Sequence, residues 1–159
     1  MKFFQWVKEI KSKSGVLHFK RYAIIESAYF SIYIHKIYEH DHDLHMHSHP
    51  WAFFGIILKG SYIEQYERYK SIGWDGILSW RESRVKKPFS IGFGGRRYFH
   101  KIQSIEDGPV TSLFFTFGKH QKWYYRAGHV HPRKVESEEY RKLKNEGNLP
   151  SDRYEQNNS

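Results

Sequence analysis

The sequence predicts an all-β domain with antiparallel strands, arranged as a sandwich or a barrel. Aromatic residues make up 18% of the 159 residues, and such residues favour strands together with β-branched ones. They recur in about nine short runs, separated by the glycine, proline and charged residues that are typical of turns. Little of the chain between these runs shows helical spacing, so helices are expected only as appendages.

Length and composition bound the domain count and the chemistry. A chain of 159 residues is long enough to bury a core as one domain. It contains no cysteine, which excludes a disulfide framework, a thiolate metal site and a cysteine nucleophile. The N-terminus lacks the apolar region of a signal peptide, and no apolar stretch approaches the roughly 18 residues of a membrane span. We therefore expect a cytoplasmic protein without a membrane segment.

The chain is strongly basic. Its net charge is +9, and part of the excess lies in residues 8–13, 81–87 and 133–144. Such a charge favours anionic partners: phosphates, nucleotides, nucleic acid or a membrane surface. A solvated basic surface explains the same composition, and nucleic acid is not the favoured partner.

The two ends of the chain are predicted to be helical. Residues 1–15 place Phe3, Phe4, Val7 and Ile10 at the spacing of a short amphipathic helix that packs against the barrel. Residues 136–159 predict a short polar helix followed by an Asn- and Ser-rich tail that frays.

The segment between the ends, residues 16–135, is predicted to form the barrel. A hairpin turn is expected at Gly60, between an apolar run and an alternating one. A last hairpin is expected at residues 127–128. The predicted strands cover residues 16–25, 28–38, 51–58, 61–69, 78–85, 89–93, 98–105, 110–118, 123–126 and 129–135.

Histidines concentrate in one short segment. Six of the 11 histidines lie between residues 35 and 49. His45, His47 and His49 are two residues apart, so in an extended segment they project from one face and can share a metal ion. Neutral imidazoles suit Fe, Zn, Mn, Ni or Cu at roughly 2.0–2.2 Å. The alternative is a solvent-exposed polar loop without a metal.

The segment that begins at His47 resembles a known family. Residues 47–53 read H-x-H-P-W-x-F, and residues 56–64 continue as I-I-L-K-G-S-Y-I-E. They resemble the first metal motif of the cupin superfamily, in which HxH ends one strand and a glycine marks the next turn. More narrowly, they look like small uncharacterised cupin proteins of bacteria and bacteriophages with an HxHPW…G-x-Y-x-E signature.

The resemblance continues downstream. Residues 98–102 are similar to the second cupin motif, and the likeness covers roughly residues 28 to 130. It implies a double-stranded β-helix, the jelly-roll barrel of cupins, with His47 and His49 as paired metal ligands and His100 as the third. Three imidazoles leave open positions for water or substrate.

One acidic position of the cupin pattern is changed. The glutamate expected a few residues after HxH is replaced by Phe53 and Phe54. Glu64 is the nearby acid that can replace it, as a fourth ligand or a general base, with Tyr62 on the same strand face as a second catalytic candidate. The alternative for Glu64 is a surface carboxylate facing Arg68 or Lys70.

Three further residues are candidates for contacts with ligand or substrate. His45 lies one strand step outside the pair and is a candidate ligand, a proton donor to a ligand, or a solvated side chain. Arg96 and Arg97 can give the barrel mouth a positive lip for an anionic substrate, because guanidinium groups match carboxylate and phosphate. Surface solubility is the alternative for both arginines.

The function that the resemblance implies is metal-dependent catalysis. Three-histidine cupins resemble cysteine dioxygenases, which implies an iron-dependent oxygenase acting on a small polar or anionic substrate. One divalent metal is expected, with Fe(II) favoured and Zn, Mn or Ni as alternatives. The alternative functions are binding of a nucleotide or sugar phosphate without turnover, and a cupin isomerase or epimerase. The sequence leaves the oligomeric state open, with a homodimer through sheet edges as one possibility. If the gene is carried by a phage, the expected compartment is the host cytoplasm.

Overall fold

The computed structural model describes residues 2–11, 15–43, 45–72, 76–95, 97–119, 122–127 and 133–149. Strands dominate these residues, and one short helix follows them, so the predicted all-β class is confirmed. The elements are β1 Lys2–Lys11, β2 Leu17–Glu26, β3 Phe30–Ile37, β4 Trp51–Ile72, β5 Gly76–Lys86, β6 Ile91–Gly94, β7 His100–Lys119, β8 Tyr124–Ala127, β9 Arg133–Glu136 and α1 Ser137–Asn145.

Two long strands, β4 and β7, hold the fold together by running through two sheets. They pair antiparallel along most of their length, with register shifts where both strands bend. The pairing is continuous in the order β1-β2-β3-β7-β4-β5, with β6 also on β4, and the register shifts divide it into two sheets. In sheet one, β1, β2 and β3 are followed by the second half of β7, the first half of β4 and β6. The other halves lie in sheet two, between β5 and residues 46–48, which in turn pair with β8 and then β9. This is the predicted jelly-roll arrangement.

The predicted hairpin at Gly60 is wrong, because β4 passes through this residue as one continuous strand. Gly60 has φ +76°, and a Cβ at this position would lie 2.5 Å from the carbonyl oxygen of Asp107 and 3.0 Å from that of Pro109. The glycine therefore allows β4 and β7 to bend together at close approach. For the same reason the two runs predicted at 98–105 and 110–118 belong to one strand, β7.

The predicted N-terminal helix is also wrong, because residues 2–11 form β1 and pair antiparallel with β2. Phe3 and Phe4 are 55% and 84% exposed, so the apolar spacing does not mark a buried helix face. A helix of this length is marginal without packing, whereas the edge of β2 offers backbone partners along the whole segment. Tertiary pairing therefore overrides the local pattern.

The short C-terminal helix is confirmed as α1. Acidic Glu138 and Glu139 lie in its first turn and basic residues in its last, as the helix dipole favours. Tyr140 is 1% exposed and stacks on Tyr125 of β8 at 3.8 Å between ring centroids. The helix thus packs behind the histidine segment, while the tail expected at residues 150–159 lies outside the described residues.

The space between the two sheets forms the interior of the barrel. Tyr33, Phe53 and Ile57 are buried on the inner face of sheet one, and Tyr66 and Ile102 are buried on sheet two. Alternation along each strand places these side chains inward. Within the described residues, no helix combines the length and the hydropathy needed to cross a membrane.

Candidate metal centre

Three histidines from two segments meet inside the barrel. His47, His49 and His100 each offer a ring nitrogen, and these nitrogens all lie within 4.8 Å of one another. The backbone fixes this meeting, since His47 and His100 exchange two hydrogen bonds of 2.9 and 3.0 Å between their N–H and C=O groups. The pairing of residues 46–48 with β7 therefore aligns the HxH pair with the first residue of β7.

The spacing of the nitrogens suits a shared ion. Nε2 of His49 and Nε2 of His100 lie 2.9 Å apart. Two imidazoles that bind one metal at about 2.1 Å place their ligating nitrogens about 3.0–3.4 Å apart, for bond angles between octahedral and tetrahedral. Only a small adjustment of the rings is needed for both nitrogens to face one ion.

The environment keeps two of these imidazoles neutral. Burial lowers the pKa of His47 to about 4, and the nearby His100 adds to this effect. Burial also lowers the pKa of His49 well below its ordinary value, with further contributions from His100 and His47. Metal ions bind the neutral imidazole, so both side chains are in the ligating form at neutral pH.

Glu64 holds the third imidazole from behind. Its Oε1 accepts hydrogen bonds of 2.8 Å from Nδ1 of His100 and from the hydroxyl of Tyr98. Its Oε2 accepts from Nε of Arg84 at 2.8 Å. Burial alone would raise the pKa of Glu64, but His100, Arg84 and Tyr98 outweigh it and lower this pKa to about 2. An ionised carboxylate only accepts, so the His100 proton sits on Nδ1 and Nε2 is left for an ion.

Glu64, the acid predicted as a fourth ligand or base, therefore contacts Nδ1 of His100 and is separated by this ring from the nitrogens that face one another. Arg84 stands directly opposite Glu64 in the β4–β5 register, whereas Arg68, the expected partner on the surface, pairs with Glu82 instead. Arg84 could have been identified as the partner of Glu64 if the register of the β4–β5 pair had been derived from the sequence. Tyr98 carried no signal of its own beyond its place two residues before His100.

Tyr62, the second catalytic candidate, lies close to this network on β4. Burial raises the pKa of its hydroxyl, and the charge of Glu64 raises it further, so Tyr62 is a neutral donor at physiological pH. The hydrogen bond to Glu64 comes from Tyr98, not from Tyr62.

His45 is not part of the group formed by His47, His49 and His100. It is 1% exposed, and its Nδ1 lies 3.1 Å from the hydroxyl of Tyr140 on α1. The paired backbone covers residues 46–48, so the regular alternation that placed His45 beside the pair does not extend to it. It is buried rather than solvated, and it contacts the helix.

Of the two arginines predicted at the barrel mouth, the structure describes one. Arg97 is exposed, and Arg96 lies outside the described residues. A second group of potential ligands gathers elsewhere, where His18 and His42 both contact Oε2 of Glu39 at 3.2 and 2.9 Å. His42 and Glu39 are the more exposed members of that group.

Aromatic side chains surround the three histidines. Trp123 stacks on His47 at 5.4 Å between ring centroids, and Trp51 stacks on His49 at 6.0 Å. Phe53 lies edge-on to His49 at 5.2 Å. These rings limit the access of bulk water, which strengthens electrostatic interactions at the site.

No family model and no curated protein matches the chain at a significant level. Among solved structures, the chain is similar to the DMSP lyase DddQ from Ruegeria pomeroyi DSS-3, with 16% identity over 86% of this chain and 62% of that one, at a TM-score of 0.47. It is similar to KdgF from Halomonas sp., with 13% identity, 72% and 94% coverage and a TM-score of 0.45. It is also similar to the hydroxypropylphosphonic acid epoxidase from S. wedmorenis, with 10% identity, 74% and 59% coverage and a TM-score of 0.46. At these values the similarity says nothing about chemistry.

Proposed function

We propose that the protein is a cupin-type metalloenzyme in which His47, His49 and His100 bind one divalent metal ion. The observation that carries this proposal is the convergence of three ring nitrogens within 4.8 Å inside the barrel. Fe(II) is the ion proposed, and the reaction proposed is oxygenation of a small polar or anionic substrate. Zn, Mn and Ni are the alternatives that such a nitrogen site also accepts.

The ion would supply open coordination positions at which substrate or dioxygen is polarised and brought into reaction. The chain's own residues would prepare these positions. Glu64 fixes the ring of His100 and the position of its proton, and Arg84 and Tyr98 hold Glu64 in turn. Carboxylates that orient a ligating histidine also raise its basicity.

Glu64 is proposed as the residue that positions His100, not as a ligand. Both of its oxygens already accept hydrogen bonds from His100, Tyr98 and Arg84. A direct metal bond would require it to give up at least one of them. A neutral Tyr62 beside this network is the proposed hydrogen-bond donor to a reacting group.

The test is metal analysis of untagged protein. Wild type should contain about one equivalent of metal per chain, and a His47→Ala/His49→Ala double variant should contain almost none. His40→Ala is the matched control, because it removes a histidine of the same segment that is not part of the three-histidine group. Loading purified protein with each of the four metals in turn compares their affinities.

The outcomes separate the parts of the proposal. Equal, substoichiometric metal in wild type and double variant would end the metal-site proposal. Stoichiometric iron that is lost in the double variant supports the oxygenase. Stoichiometric zinc or nickel would retain the site and contradict the oxygenase.

A further inference from the structure

A positively charged side chain faces the interior on the wall next to the three histidines. Arg21 on β2 and His35 on β3 stand directly opposite each other in the strand register. Their neighbours two residues along, Ala23 and Tyr33, are both buried. Alternation places all four side chains on the inner face of sheet one.

Within the described part of the chain, Arg21 has no carboxylate partner. Its guanidinium lies over the ring of Tyr33 at 4.7 Å and over that of Trp51 at 5.8 Å. Its Nε is buried and finds no hydrogen-bond acceptor among the described residues. The nearby carboxylate of Glu26 instead accepts from the hydroxyl of Tyr33 at 3.2 Å. Arg21 is partly buried, and burial lowers its pKa although the charge of Glu26 opposes this. A partly buried cation without an ion-pair contact costs stability.

Other nitrogen atoms at this wall share the same condition. Nε2 of His35, which is 7% exposed, and the indole nitrogens of Trp51 and Trp123 are buried without a hydrogen-bond partner in the described residues. Indole N–H groups and guanidinium groups only donate. Burial and the charge of Arg21 lower the pKa of His35, which keeps its imidazole neutral and able to donate from one ring nitrogen.

These donors border the metal centre. Trp51 stacks on His49 and Trp123 stacks on His47. The two indole rings contact each other edge-on at 6.1 Å between centroids. The guanidinium of Arg21 lies over the ring of Trp51, which in turn stacks on His49. A ligand group that only accepts hydrogen bonds, and that carries negative charge, is the kind of partner that these donors lack.

We propose that Arg21, assisted by His35 and the indole N–H groups of Trp51 and Trp123, binds an oxyanion group of the substrate beside the metal. The group is a phosphate, a phosphonate or a carboxylate. The inference rests on the proposed function only in calling this molecule the substrate, because anion binding itself needs no metal. In this proposal the negative charge of the substrate is bound inside the barrel by Arg21, and not at the barrel mouth by Arg96 and Arg97 as the sequence predicted.

The test measures anion binding to zinc-loaded and metal-free protein. Inorganic phosphate, methylphosphonate and acetate are titrated separately, and the indole N–H signals of Trp51 and Trp123 are followed by nuclear magnetic resonance. At least one anion should shift both signals saturably. Arg21→Met should weaken its binding at least ten-fold, and Arg21→Lys should weaken it less, because the charge is kept and the fork geometry is lost.

Two further variants complete the design. Trp51→Phe keeps an aromatic ring but removes one donor, so it should weaken binding several-fold and serves if Arg21→Met does not fold. Arg97→Ala is the control for surface charge and should bind as wild type does, because Arg97 is exposed. Without anion, Arg21→Met should melt at the same temperature as wild type or higher. An anion at saturating concentration for wild type should raise the melting temperature of wild type more than that of Arg21→Met.

Equal anion affinity in wild type and Arg21→Met would overturn this inference, as would a loss that appears in Arg97→Ala instead. Metal content is measured on the same samples, which separates the two proposals. Stoichiometric zinc with no Arg21-dependent anion binding contradicts only the inference made here. If the protein binds anions through Arg21 but takes up no metal when metal is supplied, only the proposed function is contradicted.

Discussion

At the scale of single residues, the proposed centre depends on a carboxylate that does not touch the metal. Glu64 contacts His100 through Nδ1, the nitrogen that faces away from the other two histidines. It is buried, and Arg84 and Tyr98 fix its position. A change at Glu64 should therefore alter the strength of metal binding and not the number of sites.

Glu64→Gln should lower zinc affinity about 10–100-fold while leaving one equivalent bound at saturation. The amide oxygen can still accept from His100, but the charge that raises the basicity of the imidazole is lost. Competition with a coloured chelator measures the affinity. Glu82→Gln is the matched control, since Glu82 is a carboxylate on β5 that contacts none of the three histidines. Complete loss of binding in Glu64→Gln would instead identify Glu64 as a ligand.

His35 should make the stability of the metal-free protein depend on pH. Burial, then the charge of Arg21, lowers its pKa well below the ordinary value of 6.5 in the folded state. Between pH 6.5 and the folded pKa, the unfolded chain binds a proton that the folded chain does not. The free energy of unfolding should therefore decrease as pH falls below about 6.5, by up to about 1.4 kcal/mol per pH unit from this residue.

Urea unfolding at several pH values, with wild type and His35→Gln compared, isolates this contribution. The variant should show a shallower decrease between pH 6.5 and 5. Parallel curves would show that His35 titrates alike in both states, and with it that the inner wall is wetter than its burial indicates.

At the scale of elements, the bend that β4 and β7 share depends on Gly60. Gly60→Ala should destabilise the fold by about 2–4 kcal/mol, because the new Cβ meets backbone atoms of β7 and the residue has a positive φ. Denaturant unfolding measures the change. Gly95→Ala is the control, since a Cβ there meets nothing within 4 Å. A cost below 0.5 kcal/mol for Gly60→Ala, roughly that of a neutral surface change, would mean that the bend relaxes easily.

Element types were predictable where strands follow the composition of the chain. β2, β3, β5 and α1 lie within a residue or two of the segments that the sequence predicts. The errors have a common physical cause. A glycine between an apolar run and an alternating one has the same local signature whether the chain reverses or bends. The strand that decides between them, β7, is distant in sequence from Gly60. For β1 the partner is near in sequence, but backbone pairing with β2 outweighs the helical spacing of its apolar residues.

The site was predictable to the extent that it is local in sequence. The spacing of His47 and His49 indicated a shared face, and a family resemblance supplied His100. The positions of Arg84 and Arg21 depend on strand register and on which face of a sheet looks inward. A single sequence does not reveal that Arg21, one of 26 lysines and arginines, has a buried Nε without a hydrogen-bond acceptor among the described residues.

At the scale of the whole molecule, metal binding should stabilise the entire fold, because the three proposed ligands join two segments that are distant in sequence. Zinc at 100 times its dissociation constant should add about 2.7 kcal/mol, or roughly 5–10 °C in melting temperature for a chain of this size. Differential scanning calorimetry with zinc and with chelator measures this shift. The double variant His47→Ala/His49→Ala should show no shift, and a shift that persists in it would place the stabilising ion elsewhere, for example at His18, Glu39 and His42.

The sharing of β4 and β7 between the sheets also determines how the molecule must assemble. The half of the chain up to β4 contains β4 but not β7, and the half from β5 onward contains β7 but not β4. Each half therefore holds only one of the two paired strands that run through both sheets. His49 and His100, 51 residues apart, come together only when that pair closes. Contacts of such long sequence separation make folding slow, on the order of milliseconds to seconds. If the chain were divided between β4 and β5, the first fragment would keep the β1–β2–β3 pairing and the second the β8–β9 pairing, but β4 and β7 would lack each other. The proposed metal centre would form only when the two fragments recombine.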